Sequence, residues 1–359
     1  MTKTEIPAEM RAVVTRGEGG YDQLDYCTVP VPDLKSGEVL VKVGAAGVNN
    51  TEINTRMGWY ARSVTTGTIE GESLNNAADG SGGWSETTPF PLIQGTDCCG
   101  IVVASRDETD AGFIGERVLI RACMRPDGFD SFENTWMASN FDGAFAEYVA
   151  VPASEVFPVH CNWSDAELAT IPCAYATAET MLERTRCAAG MRVLVSGASG
   201  GVGSATIQLA KRRGAEIIAI TSPAKKEALR ALGCTEIYDR DDDITALLAD
   251  NLVDIAIDNV AGPGFGQILN CLKRGGRYAS SGAIAGPVVA LDMRDLYLKD
   301  ISIFGSTAWD EAVFPNLIRY IEAGEIKPLV DKIFPLSDIV DAQKYFSTKQ
   351  HIGNVVLIP

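Results

Sequence analysis

The stretch SGASGGVG at 196–203 constrains this chain more than any other, because it closes the apolar run RVLVS and opens a segment of helical periodicity. A glycine-rich turn there lets the main chain come close to a ligand. The first amides of the helix then face that ligand, where the helix dipole favours negative charge. Gly200 and Gly203 take the second and third positions of a dinucleotide-binding fingerprint, Ala198 stands at the first, and Ser199, Gly201 and Val202 complete the turn. The pattern predicts a pyrophosphate cradle. A glycine turn that serves only helix-to-strand packing is the alternative, and the periodicity on both sides disfavours it.

That periodicity extends well beyond the turn. From about Ala166 onward helical spacing alternates with β-branched runs: RVLVSG (192–197), EIIAIT (216–221), EIYD, VDIAIDNV (253–260), RYASSG (277–282) and ISIFGS (301–306). Strand and helix alternating at this interval predict βαβ units, hence an α/β fold with a doubly wound parallel sheet covered on both faces. The first third reads differently. RAVVTR, EVLVKVGAAGV, GIVVAS and ERVLIRA alternate with period two and are broken by Gly and Pro, which predicts a small antiparallel β-barrel domain. Segment 61–88, rich in Gly, Ser, Thr and Asn, lacks a period; it is read either as a flap over a ligand site or as an idle insertion.

Charge narrows the partners. Lys and Arg number 31 against 47 Asp and Glu, a net charge of −16, so no nucleic acid and no anionic membrane surface is expected to bind. A small-molecule substrate is expected instead. The opening MTKTEIPAEM has no apolar signal region, and a cytoplasmic location is the expectation. Nine cysteines without paired spacing predict free, mostly buried thiols. Two histidines, His160 and His351, leave little imidazole for catalysis or metal binding.

The strand after the glycine turn selects between nicotinamide cofactors. An NAD site places Asp or Glu at its end for the ribose hydroxyls. Here EIIAIT runs into Ser222-Pro223-Ala224-Lys225-Lys226, a hydroxyl and two cations suited to a 2′-phosphate, with Arg240 after the third strand as a further contact. NADP(H) is the expected cofactor. The lysines are otherwise an ordinary solvated helix start.

With GEVLVKVGAAGVNNTEINTRMGWY (37–60), PLIQGTDCCGIVV (91–103), GAFAEYVAVPASEVFPV (143–159), VDIAIDNVAG (253–262) and the tail from Gly324 added to the glycine turn, nearly the whole chain resembles the medium-chain dehydrogenase/reductase superfamily. The resemblance implies a GroES-like catalytic barrel from residues 1–155 and 310–359, a Rossmann domain over 156–309, and a substrate cleft between them. It also implies a homodimer that pairs Rossmann sheets edge to edge. Zinc-dependent members carry Cys near Asn49 and Gly-His-Glu where this chain has Gly95-Thr96-Asp97; only Cys173 matches a family ligand position. Since a catalytic zinc takes three protein ligands, no metal is expected. A site built from Asp97, Cys98, Cys99 and Cys173 is the alternative.

The chain is closer to the zinc-free branch of quinone oxidoreductases and enoyl reductases, whose N-P-x-D-x-x-x-x-x-G-x-Y stretch is met by Asn49, Gly58 and Tyr60, with Asn50 and Glu52 as departures. By that resemblance Tyr60 is the catalytic acid, Arg56 assists at the acceptor oxygen, Asn49 and Thr177 touch nicotinamide, and Gly282 lines the same end. The implied reaction is hydride transfer from NADPH to an enone, enoyl group or quinone, because an enolate needs less stabilisation than an alkoxide. Alcohol/aldehyde interconversion and a catalytically silent NADPH-binding protein are the competing readings.

Overall fold

The computed structural model describes residues 6–68, 88–249 and 251–359. Six strands form one parallel sheet in the order Glu236–Asp239, Glu216–Thr221, Arg192–Val195, Val253–Ile257, Leu272–Ser280 and Ser302–Gly305. The strand order reverses beside Arg192–Val195, and ligands of such sheets bind in the crevice at that point. Val193, Leu194 and Val195 are fully buried, which explains why these strands read as continuous apolar runs.

The other sheet runs Val156–Pro158, Arg117–Ile120, Cys99–Ser105, Glu38–Val48, Asn354–Ile358 and Val330–Pro335, with Tyr148–Pro152 also paired to Glu38–Val48. Its C-terminal strand lies antiparallel to Glu38–Val48, so the two ends of the chain share one barrel-like core. Together the two sheets give the α/β architecture with a GroES-like barrel and a Rossmann sheet. All nine cysteines are free, and all but Cys27 and Cys161 are buried.

Helix Pro172–Arg184, begun by a proline at its first turn, packs against helix Gly201–Arg212. Gln208 Nε2 donates to the Tyr175 hydroxyl at 2.8 Å, and the Arg213 guanidinium grips the fully buried Glu179 carboxylate at 2.8 and 2.9 Å. These contacts fix the helix that carries Cys173 and Thr177 against the helix that carries the glycine turn. From the barrel side, Thr68 N–H donates to Ile284 O at 2.9 Å, and Gly67 lies so close to Ile284 that a Cβ would stand 2.5 Å from its carbonyl oxygen. The start of the 61–88 segment thus reaches across to the loop after Gly282. The flap reading of that segment concerns mainly residues 69–87, which lie outside the described residues.

Candidate active site

Asn49 is where strand becomes helix. The Glu52 carboxylate reaches back to accept the Asn49 N–H at 2.9 Å, half of a capping box that starts helix Asn50–Arg56. The amide nitrogen of the Asn49 side chain turns inward, where Nδ2 donates to Asp97 Oδ2 at 2.8 Å and approaches Thr96 Oγ1 at 3.3 Å. The other Asp97 oxygen accepts the Cys173 N–H at 2.6 Å. Glu52 Oε1 in turn accepts from the Thr96 amide and hydroxyl at 2.9 and 2.6 Å. Burial pushes the Asp97 carboxyl up to about 7, against the pull of its Asn49 and Cys173 donors, and burial raises Glu52 too.

Tyr60 is held beside this cluster by hydrogen bonds with Asn54 and Thr51, and it feels Cys173 and Glu52 electrostatically. Burial drives its phenol far above the ordinary value, so it stays protonated; the Cys173 thiol is raised well above its own, first by burial and then by Asp97. The result is a neutral O–H and a neutral S–H within electrostatic reach of each other. Trp59 packs edge-on to Tyr60 at 5.4 Å and anchors the next turn by donating Nε1–H to Thr66 O at 2.9 Å. Thr177 lies one helical turn from Cys173 and is half-exposed on a helix otherwise buried from Pro172 to Leu182.

On the Rossmann side, helix Gly201–Arg212 starts at Gly200, which is half-exposed and meets nothing closer than 3.7 Å where its Cβ would stand. Gly203 is the opposite: a Cβ would lie 2.4 Å from Gly197 O and 2.7 Å from Ala198 Cα. Open space at the second glycine and none at the third is what a pyrophosphate cradle requires, so the turn fits a dinucleotide. The left-handed residue of the turn is Gly197, with φ of +59°, while Ala198 is fully buried. The tight-turn role expected at Ala198 therefore belongs one residue earlier, and Ser199 and Val202 flank the open face.

The cations divide. Lys225 Nζ reaches Ser199 Oγ at 3.2 Å and the carbonyls of Lys349 and His351 at 2.7 Å each, directly at the turn. Lys226 pairs instead with Asp239 at 3.2 Å, which neutralises it. Arg240 is exposed and near enough to Lys225 to lower its affinity for a proton, although burial does more. Ser222 caps the short turn that begins at Pro223, and Gly282 sits against Asn259 past the end of strand Leu272–Ser280.

Arg56 goes elsewhere. Its guanidinium donates to Gly19 O at 2.6 Å and Gln343 Oε1 at 2.9 Å, and it lies 4.9 Å from the Tyr21 ring centroid. At 2% exposure it is a strut inside the barrel, not a group beside Tyr60. Thr51 and Asn54 are the site residues that the sequence did not announce; their spacing of three on one helix face is the signal that was available. Zinc does not fit this donor set. Among the described residues no three His, Cys, Asp or Glu side chains are placed to hold a metal ion, and both Asp97 oxygens already accept N–H groups.

A Rossmann sheet with an open glycine cradle, joined to a barrel that presents a protonated phenol, defines a two-domain oxidoreductase that uses a nicotinamide nucleotide. The comparisons agree. Residues 35–161 match the family described as alcohol dehydrogenase GroES-like domain, and 201–323 match zinc-binding dehydrogenase. The chain is 31% identical over 363 residues to the chloroplastic NADPH-dependent alkenal/one oxidoreductase of Arabidopsis thaliana, covering 99% of this chain and 81% of the relative. Among solved structures it is similar to a putative alcohol dehydrogenase of Sinorhizobium meliloti (TM-score 0.89, 42% identity, 99% and 98% covered). It is similar also to the 2-octenoyl-CoA carboxylase reductase CinF bound to NADP and 2-octenoyl-CoA (TM-score 0.81, 26% identity, 99% and 88% covered). The chain belongs to the medium-chain dehydrogenase/reductase superfamily, in its enoyl and quinone reductase-like branch.

Proposed function

We propose that this protein is an NADPH-dependent reductase of conjugated acceptors, enones, enoyl thioesters or quinones, working without zinc. The observation that carries the reading is the place of Tyr60, hydrogen-bonded with Thr51 and Asn54 of the helix that Asn49 opens, where Asn49 is itself bonded to Asp97. The names of the alkenal/one oxidoreductase and of CinF support the same acceptor class.

When bound, the nicotinamide supplies hydride to the β-carbon of the acceptor. The amides that open helix Gly201–Arg212 would hold the pyrophosphate, and Lys225 with Arg240 and Ser222 would receive a 2′-phosphate at a strand end that lacks Asp or Glu. Thr177 and Asn49 would orient the nicotinamide end, with Gly282 beside them. Tyr60 donates its hydrogen bond to the acceptor carbonyl, strengthens it as negative charge develops on that oxygen, and returns a proton. Asp97 holds Asn49 and the start of helix Pro172–Arg184 in register, so the donor set needs no rearrangement during reaction.

The outer strand Ser302–Gly305 with its exposed Ile303, together with Met293, Tyr297 and Leu298 exposed on helix Met293–Leu298, supports a homodimer formed along that edge. Among the described residues no helix is long and apolar enough to cross a membrane, and the free thiols support a reducing, cytoplasmic setting. The test is NADPH oxidation across enones, enoyl thioesters, quinones and simple aldehydes. Turnover of conjugated acceptors is expected; activity confined to simple aldehydes would overturn the proposal.

A further inference from the structure

Helix Asn50–Arg56 gives way to Gly58, whose φ of +67° lets the chain turn, and Trp59 N–H donates back to Asn54 O at 2.8 Å. Two tight turns follow, with Ala61 N–H on Gly58 O at 3.2 Å and Val64 N–H on Ala61 O at 2.9 Å. The Trp59 indole then donates to Thr66 O at 2.9 Å and ties the far end of these turns to their start. Its ring is buried, at 7% exposure, and stands edge-on to Tyr60 at 5.4 Å. Residues 59–66 are thus one closed loop, and Tyr60 is part of it. A plain apolar ring would fill the space against Tyr60; an indole fills it and also closes the loop.

The residues just past this loop reach the other domain. Thr68 N–H donates to Ile284 O at 2.9 Å, and a Cβ on Gly67 would stand 2.5 Å from that oxygen and 2.8 Å from the Ala285 carbonyl carbon, so the two main chains touch. Ile284 and Ala285 are in turn fixed to the segment that follows strand Val253–Ile257. Ala285 N–H donates to Val260 O at 2.9 Å, and a Cβ on Gly262 would lie 2.6 Å from Ala285 O. The fully buried Asp258 carboxylate accepts the amides of Val260 and Ala261 at 2.9 and 3.1 Å and holds Ala261 at φ of +52°. Val260 then meets the glycine turn, its Cγ2 3.0 Å from where a Gly197 Cβ would be. A continuous path of hydrogen bonds and contacts therefore joins Tyr60 to the turn at 196–203. Apart from the Trp59 indole and the Val260 side chain, its links are main chain.

We propose that Trp59 is a positioning residue for the reaction: through Thr66 it fixes Tyr60 relative to the Rossmann loop at 282–286, so that the acid and the cofactor domain keep one register. The inference rests on the reading of Tyr60 as the acid and deepens it. Thr51 and Asn54 orient the Tyr60 hydroxyl from within the barrel. The indole adds a tie to the other domain. Hydride and proton come from different domains here, and a misplacement of about 1 Å between reacting groups costs up to about a hundredfold in rate. A clasp of two main chains already at contact distance leaves little room for such an error.

Two substitutions break the path at different links. Trp59→Phe keeps an aromatic ring beside Tyr60 and removes the N–H that holds Thr66. Gly67→Ala leaves the indole bond and drives a methyl group into Ile284 O and Ala285, which opens the clasp. Turnover is measured with NADPH and an enone both saturating, and active sites are counted by nicotinamide fluorescence so that unfolded protein is divided out. Each variant should lose about tenfold to a hundredfold in kcat while the NADPH dissociation constant stays at the parent value. The double variant should lose no more than the worse single one, and in a Tyr60→Phe background neither substitution should change kcat by more than about twofold. Parent kcat in both single variants would overturn the proposal, including the case where only the melting temperature falls. Losses that multiply in the double variant, or that persist without the Tyr60 hydroxyl, would overturn it too. Tyr60→Phe turning over like the parent would instead remove the reading beneath it.

Discussion

The Asp97 carboxylate accepts the Cys173 N–H at 2.6 Å, and through this bond a barrel loop sets the first turn of helix Pro172–Arg184. The other Asp97 oxygen holds Asn49 at 2.8 Å, so one fully buried side chain ties Asn49 to the helix that carries Thr177. Asp97→Asn replaces an acceptor with an NH₂ facing another N–H. A loss of about 1–3 kcal/mol in unfolding free energy is expected at neutral pH. Because burial raises the folded-state carboxyl to about 7 from an ordinary 3.8, the native state binds the proton that the unfolded chain releases between those values. The stabilisation from Asp97 is therefore full below pH 4 and declines as pH rises to 7. Urea titrations should show the gap between parent and Asp97→Asn narrowing over that interval; a gap that widens would contradict the assignment.

Tyr60→Phe keeps the ring against Trp59 and removes only the hydroxyl that Thr51 and Asn54 orient. Loss of a positioned acid lowers kcat by about 10² to 10⁴. NADPH affinity should stay at the parent value, since none of the cradle is touched. Single-turnover oxidation of prebound NADPH by an enone separates the two effects. A variant that turns over like the parent would remove Tyr60 from the chemistry.

The legibility of this chain in its sequence follows from what each signal depends on. The Rossmann strands were readable because Val193, Leu194 and Val195 are buried on both faces and give unbroken apolar runs. Strand Val330–Pro335 was not, because Asp331, Lys332 and Ile333 lie exposed along the sheet's outer edge and blur the alternation. The family resemblance put Tyr60 and Arg56 forward alike, but it does not say which way a side chain leaves a short helix. Gly19 O and Gln343, distant in sequence, decide that for Arg56. Likewise the lysine pair at 225–226 looked equivalent until Asp239, from the neighbouring strand, claimed one of the two.

Arg56→Met should separate stability from catalysis. The substitution leaves Gly19 O and Gln343 Oε1 without the donors they now have, in a site that is 2% exposed, at a cost of about 2–4 kcal/mol. Far below the melting temperature kcat should be unchanged. A large fall in kcat in a fully folded variant would return Arg56 to the acceptor.

Lys225→Met addresses cofactor choice. Lys225 Nζ sits at Ser199 and near Arg240, whereas no acidic side chain ends strand Glu216–Thr221. Removing one charge-assisted contact to a phosphate should weaken NADPH by about tenfold to a hundredfold and leave NADH nearly unaffected. The ratio of the two dissociation constants, measured by fluorescence, is the readout. Parallel losses for both nucleotides would mean that Lys225 serves the loop at 349–351 and not the 2′-phosphate.

Two glycines in the same turn should fail in different ways. At Gly203 an added Cβ would lie 2.4 Å from Gly197 O and 2.7 Å from Ala198 Cα, both main-chain atoms that have no room to yield. Gly203→Ala should therefore lower the melting temperature, with a stability loss of about 1–3 kcal/mol from overpacking. At Gly200 the nearest atom would be 3.7 Å away, so Gly200→Ala should melt like the parent. Its new methyl group would occupy the space into which the pyrophosphate must come, and nucleotide binding should be lost while the fold remains. Thermal melts run with and without NADPH distinguish the two: cofactor should raise the melting temperature of the parent and leave that of Gly200→Ala where it was. Equal stabilisation of Gly200→Ala by NADPH would show that the open side of the turn is not where the nucleotide lies.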